Sequence, residues 1–246
     1  MKHGNLIFTS AGDNTEFYNH WLKLKDMCLF DICIVYYGNS NKERFKEYST
    51  YYFKKKGSKF QNFYYVYHNY QSIISKYDRF FIIDDDIIID TRSINRLFEE
   101  SKKLNVWLCQ PSLLPEGKVD WSITKNNPSL KLQYTNFVEM NVPLFSKYAL
   151  HIFMKKYDPY IVGWGTDLLY SHLFSIQPDF SHNKICIIHS ITCVNPLEIN
   201  KKNKKREIDR FMNTKKRKIV WNNWREKNNY PNGFDYIELY DCIKNT

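Results

Sequence analysis

The feature that most constrains this chain is a short apolar run that ends in three acids. Arg79-Phe80-Phe81-Ile82-Ile83 leads directly into Asp84-Asp85-Asp86. A run this short, apolar at successive rather than alternate positions, reads as a strand covered on both faces, as in a parallel sheet. Three adjacent carboxylates repel one another, so folding them together calls for a cation or thorough solvation. Hard divalent ions such as Mg²⁺ and Mn²⁺ take oxygen ligands and commonly share them with substrate phosphates. Open α/β sheets bind ligands outside the carboxyl ends of their strands, where these aspartates fall. An isolated acidic triplet reads equally well as a solvated turn; the apolar strand before it favours a metal site.

The rest of the chain alternates strand-like and helix-like runs. Leu6 to Thr9 reads as a first strand, followed by a helix-like stretch around Glu16 to Lys25. Asp31 to Tyr37 is a buried strand ending at the turn Gly38-Asn39-Ser40. The charged, aromatic stretch from Lys42 to Lys56 predicts a surface helix, Phe63 to Tyr67 a third strand, and Tyr70 to Lys76 another helix. After the aspartates, Thr91 is placed to cap a helix with Ile94, Leu97 and Phe98 on one face. Val106 to Cys109 is a strand, a loop-rich region extends to about Gln133, and Phe137 to Phe145 is β-like. Ser146 is placed to cap a helix over Lys147 to Lys156, and Gly163-Trp164-Gly165 precedes a further one. Ile185 to Ile188 is the last clear strand, ending at His189. This alternation predicts one doubly wound, mainly parallel α/β domain over 1–200, with a basic helical extension over 201–246.

Charge sharpens that division. Ten Lys or Arg lie between 201 and 218 against Glu207 and Asp209, a net of +8 out of +10 for the chain. The domain itself is therefore nearly neutral, so no nucleic-acid partner is expected, and the tail reads as a solvated surface, a contact with anionic lipid headgroups, or a lid. The six cysteines form no CxxC pair, and several sit in apolar runs, as small buried hydrophobes of a reducing compartment do. No run approaches the ~18 apolar residues of a membrane span. Met1-Lys2-His3-Gly4-Asn5 leads into the first strand without the apolar core of a signal peptide, so the expected location is cytoplasmic, with peripheral membrane contact through 201–218.

Three further sites carry chemistry in the sequence. In Val162-Gly163-Trp164-Gly165-Thr166-Asp167 the glycines let backbone approach a ligand, and Trp164 offers a flat face for a sugar ring. Asp167 falls near a helix N-terminus, whose dipole keeps a carboxylate ionised, as a general base must be; a helix-capping aspartate after a glycine turn is the plainer reading. His189 is more often structural than a ligand in such a position, although a neutral imidazole suits Mn²⁺. Glu139, inside Phe137-Val138-Glu139-Met140-Asn141, is costly to bury unpaired, so it is a cleft ligand or an outward-facing residue.

Taken in order, these segments resemble glycosyltransferases of the GT-A (Rossmann-like) fold, which carry a D-x-D motif at the end of a central strand. Gly-Trp-Gly-Thr-Asp is similar to the G-W-G-x-D/E segment of inverting galactosyltransferases. More closely, the chain resembles an uncharacterised GT-A-like family, a domain of unknown function abundant in plants and scattered among microbes. The matching stretches are Asp84 to Asp86, Gln110-Pro111, Phe137 to Ser146, Gly163 to Asp167 and Ile187-Ile188-His189, with Lys56 to Asn62 and Trp221 to Arg225 beside them. Asp85 stands where the family has Glu, Phe137 where it has Trp, and the loop from Pro111 to Lys131 departs from the pattern.

The resemblance implies a metal-dependent transfer of a sugar from a nucleotide-sugar donor to a saccharide or glycan acceptor, as in polysaccharide biosynthesis. It assigns Mn²⁺ or Mg²⁺ to Asp84, Asp86 and His189, with Asp84 and Asp85 also meeting the donor. Asp167 would be the catalytic base, giving inversion, and Glu139 would assist it. Glu139, Gly163, Trp164 and Gly165 would hold the acceptor. Thr9, Ser10, Tyr36, Tyr37 and Gly38 would meet the nucleoside, and Lys59 the diphosphate. Two other readings stay open: a phosphohydrolase or nuclease on the same aspartates, and a non-catalytic module acting through its basic tail.

Overall fold

The structure, a computed structural model, describes residues 4–197, 208–209, 212–231 and 237–245. Nine strands form one mixed sheet: β1 (Asn5–Ala11), β2 (Asp31–Tyr36), β3 (Tyr51–Lys54), β4 (Arg79–Ile82), β5 (Leu108–Leu113), β6 (Leu130–Thr135), β7 (Leu144–Ser146), β8 (Ile185–Cys193) and β9 (Leu239–Lys244). Their spatial order is β3-β2-β1-β4-β7-β5-β8-β6-β9. The first four are parallel, β7 runs antiparallel between β4 and β5, β8 is parallel to β5, and β6 and β9 close the far edge antiparallel. The chain starts at β1, builds outward through β2 and β3, then returns to place β4 on the other side of β1. That reversal makes the carboxyl ends of β1 and β4 a topological switch point, the place where open α/β sheets form their ligand crevice.

Every residue of β1 and β2 is buried, and alternate side chains serve opposite faces. Leu6, Phe8, Phe80 and Ile82 pack with α2 (Lys59–Asn69), α3 (Gln71–Ile74), α5 (Lys147–Lys156) and α6 (Thr166–Ser175). Ile7, Ile32, Ile34, Phe81 and Ile83 pack with α1 (Tyr18–Trp21) and α4 (Thr91–Lys103). The continuous apolar runs of the sequence thus become the middle layer of a three-layer α/β/α domain. A further helix, α7 (Thr214–Lys227), joins the first of these faces through buried Trp221.

Several expectations change. Lys42 to Lys56 is not a helix: it holds a single 3₁₀ turn and then edge strand β3, hydrogen-bonded to β2. Phe63 to Tyr67 is not a strand but the middle of α2, where a Ser58/Gln61 capping box starts the helix and Phe60, Phe63, Val66 and Tyr67 are buried at helical spacing. Aromatic residues favour strands, but here packing of one helical face overrides that propensity. Within Phe137 to Phe145 only the final residues are strand, and the loop before β7 is free to carry site residues. Asp90, not Thr91, caps α4, accepting from the Ser93 N–H. β8 runs on past His189 to Cys193, with a register shift opposite Pro111 and Ser112. The described cysteines are all free thiols. No described helix is long and apolar enough to cross a membrane. Of the basic segment, 201–207, 210 and 211 lie outside the described residues.

Candidate functional site

The three aspartates leave β4 into the crevice, but they do not converge. Asp85 turns inward: its Oδ2 accepts from the Gly12 N–H at 2.9 Å, and its carbonyl accepts from the Thr15 hydroxyl. It fastens the β1 turn to the β4 turn, a framework task rather than the donor contact expected for it. Asp84 Oδ1 lies 2.8 Å from the Lys59 ammonium. Lys59 is buried and also donates to the carbonyls of Met140 at 2.5 Å and Asn141 at 3.2 Å. Its three protons are thereby engaged, which leaves none for the diphosphate that the sequence reading gave it. Burial lowers the Lys59 pKa, while Asp84, Asp86 and Asp85 pull it back towards the charged form.

Of the residues expected to meet a nucleoside, Thr9, Ser10 and Tyr36 are buried. β1 continues to Ala11, so Thr9 is fully buried and Ser10 nearly so, its hydroxyl accepting from Asn62. The rim is the Gly12-Asp13 turn. The Asp13 carboxylate accepts from the Tyr36 hydroxyl and from the Asn39 N–H at 2.9 Å. Burial pushes the Asp13 pKa up, but bonds from Asn39, Tyr36 and Ser40 outweigh it and hold the group below the usual carboxylate range. Lys56 pins the carbonyls of Tyr37 and Gly38 from the other side. Asp13 was missed because it lies in no motif, and Lys56, although it opens the Lys56 to Asn62 stretch, was given no role there; only the fold brings them to Tyr36-Tyr37-Gly38.

The second half of the site lies on the loop between β6 and β7 and at the start of α6. Glu139 is 2% exposed. Its N–H donates to Gln110 of β5 at 2.7 Å, and its carboxylate accepts from the Thr124 hydroxyl and from Asn141 at 3.3 Å. Burial, reinforced by the charges of Asp120 and Asp167, raises its pKa to about 7. Asp167, in the first turn of α6, has its pKa raised to about 6, again by burial above all. N–H groups of Leu168, Asp167 itself and Met140 pull the other way. Asp167 keeps more solvent exposure than Glu139. Asp120, from the divergent loop after β5, acts on both carboxylates and was absent from the sequence reading.

The Gly163-Trp164-Gly165 run faces α7. Gly165 has φ +85°, and a Cβ there would stand 2.1 Å from Trp221 Cδ2. This glycine makes room for a helix of the same chain, a correction to its expected role of letting backbone approach a ligand. Lys218 lies over the half-buried Trp164 ring, 4.3 Å from its centroid, and Arg217 pairs with Asp209 at 2.6 Å. The described part of the basic tail is therefore docked beside the Trp164 segment.

His189 is buried, and its Nδ1 accepts from the Asn127 backbone N–H at 3.1 Å. Burial lowers its pKa to about 4, so the ring is neutral and its proton sits on Nε2. A metal bond at Nε2 needs the other tautomer, which would set a proton against the Asn127 N–H. In this arrangement the buried Nε2, which has no hydrogen-bond partner among the described residues, carries the proton, and ligating a metal there would require Nδ1 to give up the Asn127 N–H. Among the described residues no three His, Cys, Asp or Glu side chains converge on a metal position. The oxygen chemistry of Asp84 and Asp86 does suit a hard ion of the Mg²⁺ type, which takes one or two protein carboxylates and completes its shell with substrate phosphate and water.

No protein-family model matches the sequence, and no curated protein does. Solved structures do match by shape. S. aureus TarS superposes with a TM-score of 0.52 at 8% identity, over 80% of this chain and 37% of that one. A structure of its residues 1–349 gives 0.50 at 10%, over 95% and 74%. The mannosyltransferase PcManGT from Pyrobaculum calidifontis, solved with GDP-Man and Mn²⁺, gives 0.54 at 10%, over 86% of this chain and 60% of that one. The chain thus spans little more than a third of the TarS chain. The fold it shares with these structures is the GT-A arrangement, a large mixed sheet flanked by helices.

Proposed function

We propose that this chain is a metal-dependent glycosyltransferase that moves a sugar from a nucleotide-sugar donor to the hydroxyl of a saccharide or glycan acceptor. One observation carries the reading: the aspartate turn after β4 and the raised-pKa Asp167 of α6 both approach Met140, the first through Lys59 on its carbonyl and the second beside its N–H. A GT-A fold with acidic oxygen ligands on one side and a proton acceptor on the other supports this chemistry more than binding alone. Asp84 and Asp86 would hold Mn²⁺ or Mg²⁺. The ion supplies charge neutralisation of the departing nucleoside diphosphate.

The remaining steps belong to the chain's own residues. The rim of Asp13, Tyr36, Tyr37 and Gly38 orients the nucleoside. Asp167 takes the proton from the acceptor hydroxyl as that oxygen attacks the anomeric carbon in line, which gives inversion. Glu139 orders the loop at the acceptor side and shares the local negative charge. Trp164, with Lys218 over one face, shapes the acceptor entrance. In the proposal the chain works in the cytoplasm, and the basic segment 201–218 makes a peripheral contact with anionic lipid headgroups.

The test is a panel of nucleotide sugars and nucleoside diphosphates screened for Mn²⁺-dependent thermal stabilisation, since a ligand bound only by the folded state raises the melting point by mass action. Asp86→Ala should abolish the Mn²⁺-dependent part. Phosphodiester cleavage with no response to any nucleotide sugar would transfer the aspartates to the phosphohydrolase or nuclease reading. Function lost on neutralising the tail but intact in Asp86→Ala would instead mark a binding module.

A further inference from the structure

Lys59 was expected at the donor diphosphate, yet its ammonium is spent inside the protein. It touches Asp84 at 2.8 Å, and the carbonyls of Met140 and Asn141 at 2.5 and 3.2 Å. The same Asn141 carbonyl accepts from the Asp84 N–H at 2.9 Å. The Met140 N–H, in the preceding peptide unit, lies beside the Asp167 carboxylate and favours its charged form. Neighbouring groups therefore run from Asp84 through the Lys59 ammonium and the backbone of Met140 to Asp167. Glu139, which bonds Asn141, hangs on the same loop.

We infer that Lys59 is a tethered resident cation of the aspartate turn, a positioning residue that couples metal occupancy to the placement of Asp167. The inference rests on the proposed reading of Asp84 as a metal-holding residue. A buried ammonium beside three carboxylates lowers the repulsion among them when no ion is bound, which lets the apo protein keep the turn folded. A divalent ion arriving at the same carboxylates meets that ammonium as a like charge, so Lys59 weakens ion binding while it shapes the site. The ion in turn loosens the hold of Lys59 on Met140 and Asn141, and the loop carrying Glu139 beside Asp167 responds. Coupling of this kind is reciprocal: an acceptor that orders the loop must shift metal affinity by the same factor.

The probe is Mn²⁺ alone, titrated calorimetrically into the full chain. Lys59→Met removes the charge at similar volume and should bind Mn²⁺ more tightly, by about threefold or more, as expected for one like charge removed near the ion. A purely structural lysine predicts unchanged or weaker binding, and that result overturns the inference while leaving the metal reading intact. Absence of Mn²⁺ binding in the wild type, with and without UDP or GDP, sinks both together. Where Lys59→Met does not fold, hydrogen exchange in the wild type decides. Mn²⁺ should alter exchange at the amides of Met140 and Leu168, and saturation without change at either amide refutes the coupling.

Discussion

The two halves of the crevice use the same side chain in opposite surroundings. On the β4 side, Asp84 faces an ammonium and Asp85 a backbone N–H, so charge is met by charge or by a fixed dipole. On the α6 side, Glu139 and Asp167 are bonded to a hydroxyl, an amide and backbone N–H groups, with no ion pair to either among the described residues, and their pKa values rise to about 7 and 6. One half is suited to keeping negative charge for a cation, the other to accepting a proton near neutral pH. Carboxyl groups held in such different surroundings suit a division of labour within one site.

The sharpest way to break the comparison is Asp167→Asn. Turnover with whichever nucleotide sugar stabilises the protein should fall by about 10²–10⁴-fold, the usual range for losing a general base. The melting point above pH 6 should not fall, because the substitution removes a buried charge. Wild-type turnover in Asp167→Asn ends the base assignment.

pH should separate the halves next. Both acids have folded pKa values above their ordinary ones, so the stability they contribute is complete below about pH 4 and is lost as pH rises to about 7. For Glu139 the loss is on the order of 3 kcal/mol. Activity should move the other way, rising through about pH 6 as Asp167 ionises. Denaturant unfolding at pH 5 and pH 8 measures the first trend, and Glu139→Gln should flatten it; a profile equally steep in that variant means the burden lies elsewhere.

Smaller effects sharpen the picture. Gly165→Ala drives a methyl into Trp221 and a side chain into left-handed backbone, which should cost about 2 kcal/mol. Because α7 packs on the α6 side, Mn²⁺ affinity should stay level, and a parallel loss of metal binding would show that the halves are not separable this way. Smallest of all, His189→Gln should leave Mn²⁺ affinity within about twofold, since the ring presents a proton and not a lone pair. A tenfold loss would restore His189 as a ligand.

Much of the fold was legible because burial on both faces leaves a plain signature. β1, β2 and β4 read as continuous apolar runs, and the Ser146 cap and the glycine turn before α6 read from local chemistry alone. The failures have a common cause. α2 is rich in Phe and Tyr, which favour strands, and β3 is a half-exposed edge whose charged neighbours resemble a helix surface. Neither could be settled without knowing which face meets the core.

The sequence by itself determined that three aspartates follow a buried strand, that Asp167 opens a helix and that the tail is basic, since all three are matters of composition and short spacing. Only the tertiary structure decided what each charge does. It brought Lys59 to Asp84 across 25 residues, Met140 to Asp167 across 27, Asp120 to Glu139 and Asp167, and Asn127 to His189 across 62. Whether a carboxylate stays charged, or which nitrogen of a histidine keeps its proton, depends on partners and burial within a few ångströms. Spacing along the chain does not carry that distance.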